Sequence, residues 1–234
     1  MRQLPLGIRL RDSALFETYF PGSNAAALDY LWGLADGSAS AGAWLWGPSG
    51  SGKTHLLQAA CAAADGAGRQ AAYLPMDAMV ELGAGALEGW GGKDLVAIDD
   101  FDRTAGDGRF EQAVFRLFNE LQEQGGRLLV STTEAPAGLH IGLPDLASRL
   151  AAGVVFQLMP PDDAQRVSAL QLRARHRGLE LPDETAHFLL RRLPRDMASL
   201  CGWLDRLDVA SLEAKRRLTV PFVREVLGRA DQDA

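Results

Sequence analysis

The chain is poor in cysteine and has no apolar run long enough to cross a membrane. Its two cysteines, Cys61 and Cys201, both lie in apolar helical patterns. This placement favours packing as small hydrophobic side chains over a disulfide. The first residues also lack the apolar core of a signal peptide, so we expect a cytoplasmic protein.

Positive charge is scarce as well. The chain carries 24 Lys and Arg against 30 Asp and Glu, a formal charge of −6. A general nucleic-acid scaffold is usually basic, so this balance argues against one. With 234 residues, 47% of them hydrophobic, the chain can bury a core for one large domain or two small ones.

Short apolar runs alternate with helical patterns up to residue 160, which is typical of an α/β fold with a parallel sheet. Five strands are predicted, at residues 43–46, 70–74, 95–98, 127–131 and 154–158. Strand signals then stop, and four helices are predicted, at residues 162–177, 183–192, 195–212 and 220–229. We therefore expect a leading segment, a base domain and a small all-helical domain, at residues 1–12, 13–160 and 161–234.

A phosphate-binding loop follows the first predicted strand. Residues 47–54 read Gly-Pro-Ser-Gly-Ser-Gly-Lys-Thr, between a buried strand and a helix, which is the context that this motif requires. Lys53 would reach the β- and γ-phosphate oxygens, and the Thr54 hydroxyl would hold Mg²⁺. A Gly/Ser-rich surface loop is the alternative. The expected cofactor site comprises Gly47, Pro48, Ser49, Gly50, Ser51, Gly52, Lys53, Thr54 and His55.

The third predicted strand ends in two carboxylates, Asp99 and Asp100. Ligands of open α/β folds bind at the carboxyl ends of strands, so these side chains would face the loop. Asp99 suits Mg²⁺, and Asp100 could orient an attacking water. Taken alone, an Asp-Asp pair could equally begin a turn. The phosphate loop earlier in the chain makes a Walker B motif the better interpretation.

Further polar residues suit a nucleotide switch. Ser131, Thr132 and Thr133 end the fourth predicted strand, where they could contact a γ-phosphate or simply cap a turn. Arg149 precedes the last strand and could serve a neighbouring subunit as an arginine finger, or form a surface salt bridge. Arg195 opens a helix of the second domain and could reach back to the nucleotide.

Four segments resemble the DnaA/Hda family of AAA+ ATPases, and the resemblance extends over nearly the whole chain. They are Phe-Glu-Thr-Tyr-Phe-Pro-Gly-Ser-Asn at 16–24, Leu-Pro-Asp-Leu-Ala-Ser-Arg-Leu at 143–150, Leu-Gln-Leu-Arg-Ala-Arg at 170–175 and Leu-Thr-Val-Pro-Phe-Val at 218–223. The resemblance implies an AAA+ base, a helical lid and an ADP or ATP ligand with Mg²⁺. It also implies Arg149 as a trans-acting finger, Arg195 as sensor 2 and Thr133 at sensor 1, where the initiator more commonly has Asp.

The resemblance gives meaning to the peptide Gln3-Leu4-Pro5-Leu6, which is similar to the sliding-clamp-binding peptide of such regulators. Gln and Leu anchors on a flexible end can occupy an apolar pocket. The implied partners are the DnaA initiator, the DNA polymerase III β sliding clamp and, through the clamp, DNA. The sequence leaves open whether the chain forms a homo-oligomer, and no membrane partner is expected. The sequence ends directly after the lid, so we expect no helix-turn-helix DNA-binding domain.

The implied function is negative regulation of replication initiation: the chain would stimulate hydrolysis of DnaA-bound ATP and have weak ATPase activity itself. Two other classes stay open. One is a small P-loop kinase, which the residues before the loop and the strand ending at Asp99 disfavour. The other is a helicase-loader-like protein or initiator fragment, which the acidic base disfavours.

Overall fold

The structure is a computed structural model that describes residues 14–230, and the chain divides into two compact units. Among the described residues, the first unit holds residues 14–16 and Ser23–Pro160, and the second holds Glu17–Gly22 with residues 161–230. The predicted boundaries thus differ in Glu17–Gly22, which we assigned to the base. This segment belongs to the second unit because Gly22 packs on Gln165: a Cβ at Gly22 would lie 3.1 Å from Gln165 Nε2.

The first unit is built on five parallel strands, as predicted, in the order β2-β3-β4-β1-β5. The strands are β1 Ala43–Trp46, β2 Ala71–Pro75, β3 Leu95–Asp99, β4 Arg127–Thr132 and β5 Val154–Gln157. Every residue of β3 is buried. A parallel sheet covered by helices requires such continuous apolar strands.

Five helices accompany the sheet: α1 Ala25–Asp36, α2 Lys53–Gly66, α3 Met76–Leu82, α4 Gly108–Gln124 and α5 Pro144–Ala151. The largest of them, α4, packs Val114, Leu117 and Leu121 into the same core as Val96 and Ile98 of β3. These apolar residues recur three and four positions apart, which places them on one face of α4. The helix ends at Gly125, whose left-handed φ of 79° permits the sharp stop.

The second unit is all-helical, as predicted, with helices α6 Asp163–His176, α7 Asp183–Arg192, α8 Met197–Ala214 and α9 Val220–Ala230. Leu170, Leu189 and Leu204 are fully buried in its core. Helix α8 begins two residues later than predicted because the Asp196 carboxylate accepts the Ser199 N–H at 2.7 Å and caps it. In neither unit does a helix within residues 14–230 have the length and apolar character that a membrane span requires.

The sheet order determines which loops of the first unit meet. Strand β4 lies between β1 and β3, and all five strands run in the same direction. The residues that follow β1, β3 and β4 therefore leave the sheet side by side at one edge. These are the three stretches in which the sequence places the phosphate loop, the paired carboxylates and the strand-end hydroxyls.

Candidate functional site

The backbone of residues 47–52 depends on glycine. Gly50 and Gly52 adopt left-handed φ angles of 80° and 96°. A Cβ at Gly47 would lie 2.4 Å from the Leu158 carbonyl oxygen, which leaves no room for a side chain. The chain can therefore turn tightly from β1 into α2 only with these residues.

Lys53 is the first residue of α2, and its side chain turns back into the loop. It is only 6% exposed, and its Nζ donates to the carbonyl oxygens of Gly47, at 2.7 Å, and Pro48, at 3.3 Å. The first hydrogen bond of α2 runs from the N–H of Leu56 to the Gly52 carbonyl, and the N–H groups of Lys53 and Thr54 precede it at the helix N-terminus. A buried ammonium beside such N–H groups fits a bound phosphate.

The remaining loop residues are placed differently from one another. Thr54 is exposed in the first turn of α2, whereas the side chain of Ser51 is buried. Pro48, Ser49 and Gly50 form the exposed crest of the loop. His55 Nε2 lies 2.8 Å from the Leu15 carbonyl oxygen, so this ring ties residue 15 to α2.

Asp99 is buried at the end of β3 and is held by two hydroxyl groups. Ser131 Oγ donates to Asp99 Oδ1, and the Tyr73 hydroxyl donates to Oδ2 at 2.7 Å. Ser131 Oγ also accepts the Asp100 N–H at 2.9 Å, so one hydroxyl joins β4 to both carboxylate residues. Burial, and then the charge of Asp99, raise the pKa of the Tyr73 phenol.

Asp100 is half-buried and has a left-handed φ of 56°, which a non-glycine residue seldom adopts. Burial raises the pKa of its carboxyl group, and the charges of Asp99 and Asp102 raise it further. Lys53 and Arg103 act in the opposite direction. The result is a carboxylate that holds a proton more readily than an exposed aspartate.

The hydroxyls after β4 have separate partners. Thr132 is fully buried; it accepts from Trp44 Nε1 and donates to the Glu134 carbonyl, both at 2.7 Å. Thr133 is exposed, and its N–H and hydroxyl both donate to Asp102 Oδ2. The predicted sensor 1 hydroxyl is thus bonded to a carboxylate that follows β3.

Arg149 lies on α5, whose start is held by α4. The Gly142 and Leu143 N–H groups donate to the buried Glu111 carboxylate, at 3.0 and 2.8 Å. Arg149 is exposed, and within residues 14–230 no carboxylate lies within 4.0 Å of it. The salt bridge considered from the sequence is therefore not formed in this part of the chain.

A pocket of about 170 Å³ beside Arg149 locates this residue relative to the sheet. Its walls include Ala43, Leu128 and Gly153, which stand at or next to the first residues of β1, β4 and β5. The phosphate loop follows the other end of β1. Arg149 and the phosphate loop therefore lie toward opposite edges of the sheet.

The last two predicted sites belong to other parts of the chain. Arg195 precedes the Asp196 cap in the second unit, and its guanidinium donates to Asp163 Oδ2 at 3.0 Å. Asp163 also pairs with Arg166, at 2.6 Å. The peptide at residues 3–6, with Gln3, Leu4, Pro5 and Leu6, lies outside the described residues.

Three site residues were not predicted: Tyr73, Asp102 and Glu111. Asp102 had a sequence signal, because it is the third acid of the run Asp-Asp-Phe-Asp at 99–102. Tyr73 and Glu111 had none, since each acts on a segment distant in sequence. The strand pairing that sets Tyr73 opposite Ala97 is a tertiary contact.

Comparison with known proteins gives two results. The family model described as "Hda, lid domain" matches residues 163–227. Domain III of the replication initiation protein DnaA from Thermotoga maritima shares the fold, with a TM-score of 0.74 at 23% identity, over 93% of this chain and 97% of that one.

Two larger structures agree with the domain III match. AMPPCP-bound DnaA from Aquifex aeolicus gives a TM-score of 0.70 at 24% identity, over 96% of this chain and 71% of that one. A replication initiator DnaA bound to AMPPCP and single-stranded DNA also gives a TM-score of 0.70, at 25% identity, over 88% of this chain and 68% of that one. The Hda lid-domain match and the DnaA-like fold of the chain together support an AAA+ protein of the Hda/DnaA type.

Proposed function

We propose that this chain is a negative regulator of replication initiation that stimulates hydrolysis of ATP bound to DnaA. One observation supports the proposal above the others: Arg149 is an exposed arginine with no ion pair in the described residues, and it lies toward the sheet edge opposite the phosphate loop. An arginine at this edge is poorly placed to contact a nucleotide bound at the chain's own phosphate loop. It is accessible to a nucleotide that is bound by a partner protein.

The chain's own ligand is an adenine nucleotide, ADP or ATP. The glycine-dependent loop and the inward-turned Lys53 fit its phosphates. The DnaA structures at 24% and 25% identity are AMPPCP-bound, which supports adenine as the base. For Mg²⁺, the oxygen donors present are the Thr54 hydroxyl and the Asp99 carboxylate, which suit a hard cation. The ion would neutralise phosphate charge.

The residues around this site favour nucleotide binding over nucleotide hydrolysis. Asp100, whose pKa is raised, can accept a hydrogen bond from water and orient it. The Thr133 hydroxyl, however, is bonded to Asp102. A sensor 1 hydroxyl held this way is less available to a γ-phosphate, which agrees with a weak intrinsic ATPase. Arg195, now paired with Asp163, is the candidate sensor 2 cation.

The finger acts on DnaA. As the γ-phosphoryl group departs, charge spreads over its oxygens, and a guanidinium supplied by a partner stabilises it. Arginine fingers of other NTPases contribute about 10³–10⁵ in rate. Hydrolysis leaves ADP-bound DnaA, so the regulator blocks a further round of initiation.

A tether to DNA completes the proposal. The peptide Gln3-Leu4-Pro5-Leu6 would bind the β sliding clamp, and the clamp would bring the regulator to DNA. This arrangement gives the acidic chain access to DNA without a basic surface. It implies a cytoplasmic protein that associates with the nucleoid through the clamp.

Reconstitution tests the proposal. DnaA carrying radiolabelled ATP is mixed with DNA-loaded clamp and this chain, and the bound nucleotide is followed over time. We expect conversion to ADP that requires both the chain and the clamp. Replacing Gln3 and Leu4 by Ala should abolish clamp binding and with it the conversion, while nucleotide affinity stays at the parental value. Absence of conversion with the parent chain would overturn the proposed function.

Two further assays address the rival functions. Turnover with GMP or AMP as phosphate acceptor would indicate a kinase. Salt-dependent DNA binding in the absence of clamp would indicate a loader or an initiator fragment. The proposed regulator shows neither activity.

A further inference from the structure

The Arg149 guanidinium lies over two aromatic side chains of α4. Its Cζ is 5.3 Å from the ring centroid of Phe115 and 5.6 Å from that of Phe118. The two phenylalanines are three positions apart and therefore share a helix face. Both distances fall within the roughly 6 Å over which an arginine is attracted to the face of a ring.

The rings are fixed in place while the arginine is exposed. Phe115 and Phe118 are partly buried and pack on the core of the first unit. The start of α5 is bonded to Glu111 on the same α4 helix. One helix therefore carries both the rings and the anchor of the segment from which Arg149 extends.

An arginine side chain has many rotamers, and an exposed one must lose most of them when it meets a phosphate. A contact that already restricts the side chain reduces this loss. Attraction to a ring consumes none of the five N–H donors of the guanidinium. The donors stay available to bridge two phosphate oxygens.

We propose that Phe115 and Phe118 form an aromatic platform that positions Arg149 for its partner's nucleotide. The inference rests on the proposed function, since it assigns the rings to the same finger. The rings touch no phosphate; they act through Arg149. They are positioning residues and have no catalytic role of their own.

Leucine at these positions keeps a hydrophobic side chain but removes the ring. In the reconstituted DnaA assay, we expect Phe115→Leu and Phe118→Leu each to lower the maximal hydrolysis rate about two- to five-fold, as the strength of exposed cation–π contacts suggests. The concentration of chain that gives half-maximal stimulation should change little. Phe118→Tyr, which keeps the ring, should retain the parental rate.

Controls separate positioning from folding. Phe110→Leu removes a buried ring from the same helix away from Arg149, and we expect it to lower stability without lowering the rate per folded molecule. In an Arg149→Ala background, the leucine variants should cause no further loss. Ring currents should also shift the Arg149 Nε–H NMR signal, assigned by its disappearance in Arg149→Ala, and Phe118→Leu should move it.

The outcomes are distinct. If the parent chain stimulates DnaA, Arg149→Ala does not, and both leucine variants match the parent, the platform is overturned and the proposed function stands. Faster hydrolysis by the leucine variants would also overturn it, because the rings would then restrain the finger. If the parent gives no stimulation, the proposed function fails and the platform fails with it.

Discussion

Lys53 and Arg149 carry the same charge in the same unit of the molecule, and the fold treats them in opposite ways. Lys53 is 6% exposed and its ammonium is bonded to two carbonyl oxygens of its own loop. Arg149 is exposed, lies over two aromatic rings and has no carboxylate partner among residues 14–230. A buried cation bonded to its own loop suits a ligand that the loop encloses. An exposed one with available donors suits a ligand brought by another molecule.

The chemistry of the two side chains matches these positions. A lysine presents a compact charge that a phosphate cradle can surround, whereas arginine presents a planar fork that bridges two oxygens. The comparison predicts that changes at one cation leave the function of the other largely intact.

The largest effect is expected at Arg149. Arg149→Ala should lower the stimulated hydrolysis of DnaA-bound ATP by about 10³-fold, since the charge opposite the departing phosphoryl group is lost. Arg149→Lys should also fail substantially, because an ammonium lacks the fork. ADP affinity of the chain, measured with a fluorescent analogue, should be parental in both. Arg109→Ala, which removes another exposed arginine of the same unit, is the control. Parental stimulation by both Arg149 variants would mean that another residue acts in trans.

Lys53→Ala should weaken ADP binding by about 10- to 100-fold, the range expected when a charge-assisted contact is removed. Lys93→Ala, whose Nζ is bonded to Gln70, is the matched control and should bind normally. Fluorescence titration measures both. Unchanged ADP affinity of Lys53→Ala would contradict the phosphate-cradle interpretation of the loop.

A smaller effect is expected at the carboxylate end of the site. Asp99→Ala should remove most of the Mg²⁺ dependence of nucleotide binding. Tyr73→Phe removes a hydrogen bond to Asp99 and should raise the half-saturating Mg²⁺ concentration about 10-fold, the lower end for loss of a group that orients a metal ligand. Tyr30→Phe loses a hydroxyl bonded to Ala41 instead and should not change it. A Tyr73→Phe variant with parental Mg²⁺ dependence would leave the phenol without a role at the metal.

The smallest effect concerns stability and is confined to the second unit. The Ser199 N–H and hydroxyl lower the pKa of Asp196 in the folded state, so its contribution is present above the unfolded value of 3.8 and is lost as pH falls through the folded one. Asp196→Ala should therefore lower the free energy of unfolding by about 1 kcal/mol at pH 7 and by less in acid. Urea denaturation at both pH values measures this. Glu213→Ala on the same helix is the control, and an equal loss there would contradict the cap.

Local patterns were sufficient to predict the five strands of the sheet and the helices of the second unit. The glycines of residues 47–52 and the apolar strand that ends at Asp99 are contiguous in sequence, and the structure confirms the five-stranded sheet and the helical second unit. Phe110, Val114 and Leu117 of α4 likewise recur at a helical spacing that is visible in the sequence.

What the sequence could not predict depends on contacts between distant segments. The sequence left Ser131 open between a γ-phosphate contact and a turn cap, and it gave no sign that the pairing of β3 with β4 sets its hydroxyl against Asp99 and Asp100. Arg149 could be recognised as a candidate finger, while the rings beneath it belong to a helix that precedes β4. Spacing within α4 indicates that Phe115 and Phe118 share a face, but it does not indicate which side chain they meet.

The position of β1 in the sheet has a consequence for how the chain folds. Its neighbours, β4 and β5, both come from the later part of the base. During synthesis, the strand that carries the phosphate loop therefore cannot pair with its neighbours until nearly the whole unit has left the ribosome. A base truncated before β4 lacks both neighbours of β1, so we expect it to bind nucleotide poorly. A nucleotide that binds only the finished unit also stabilises it by mass action, so cellular ADP and ATP would act as folding ligands for this protein.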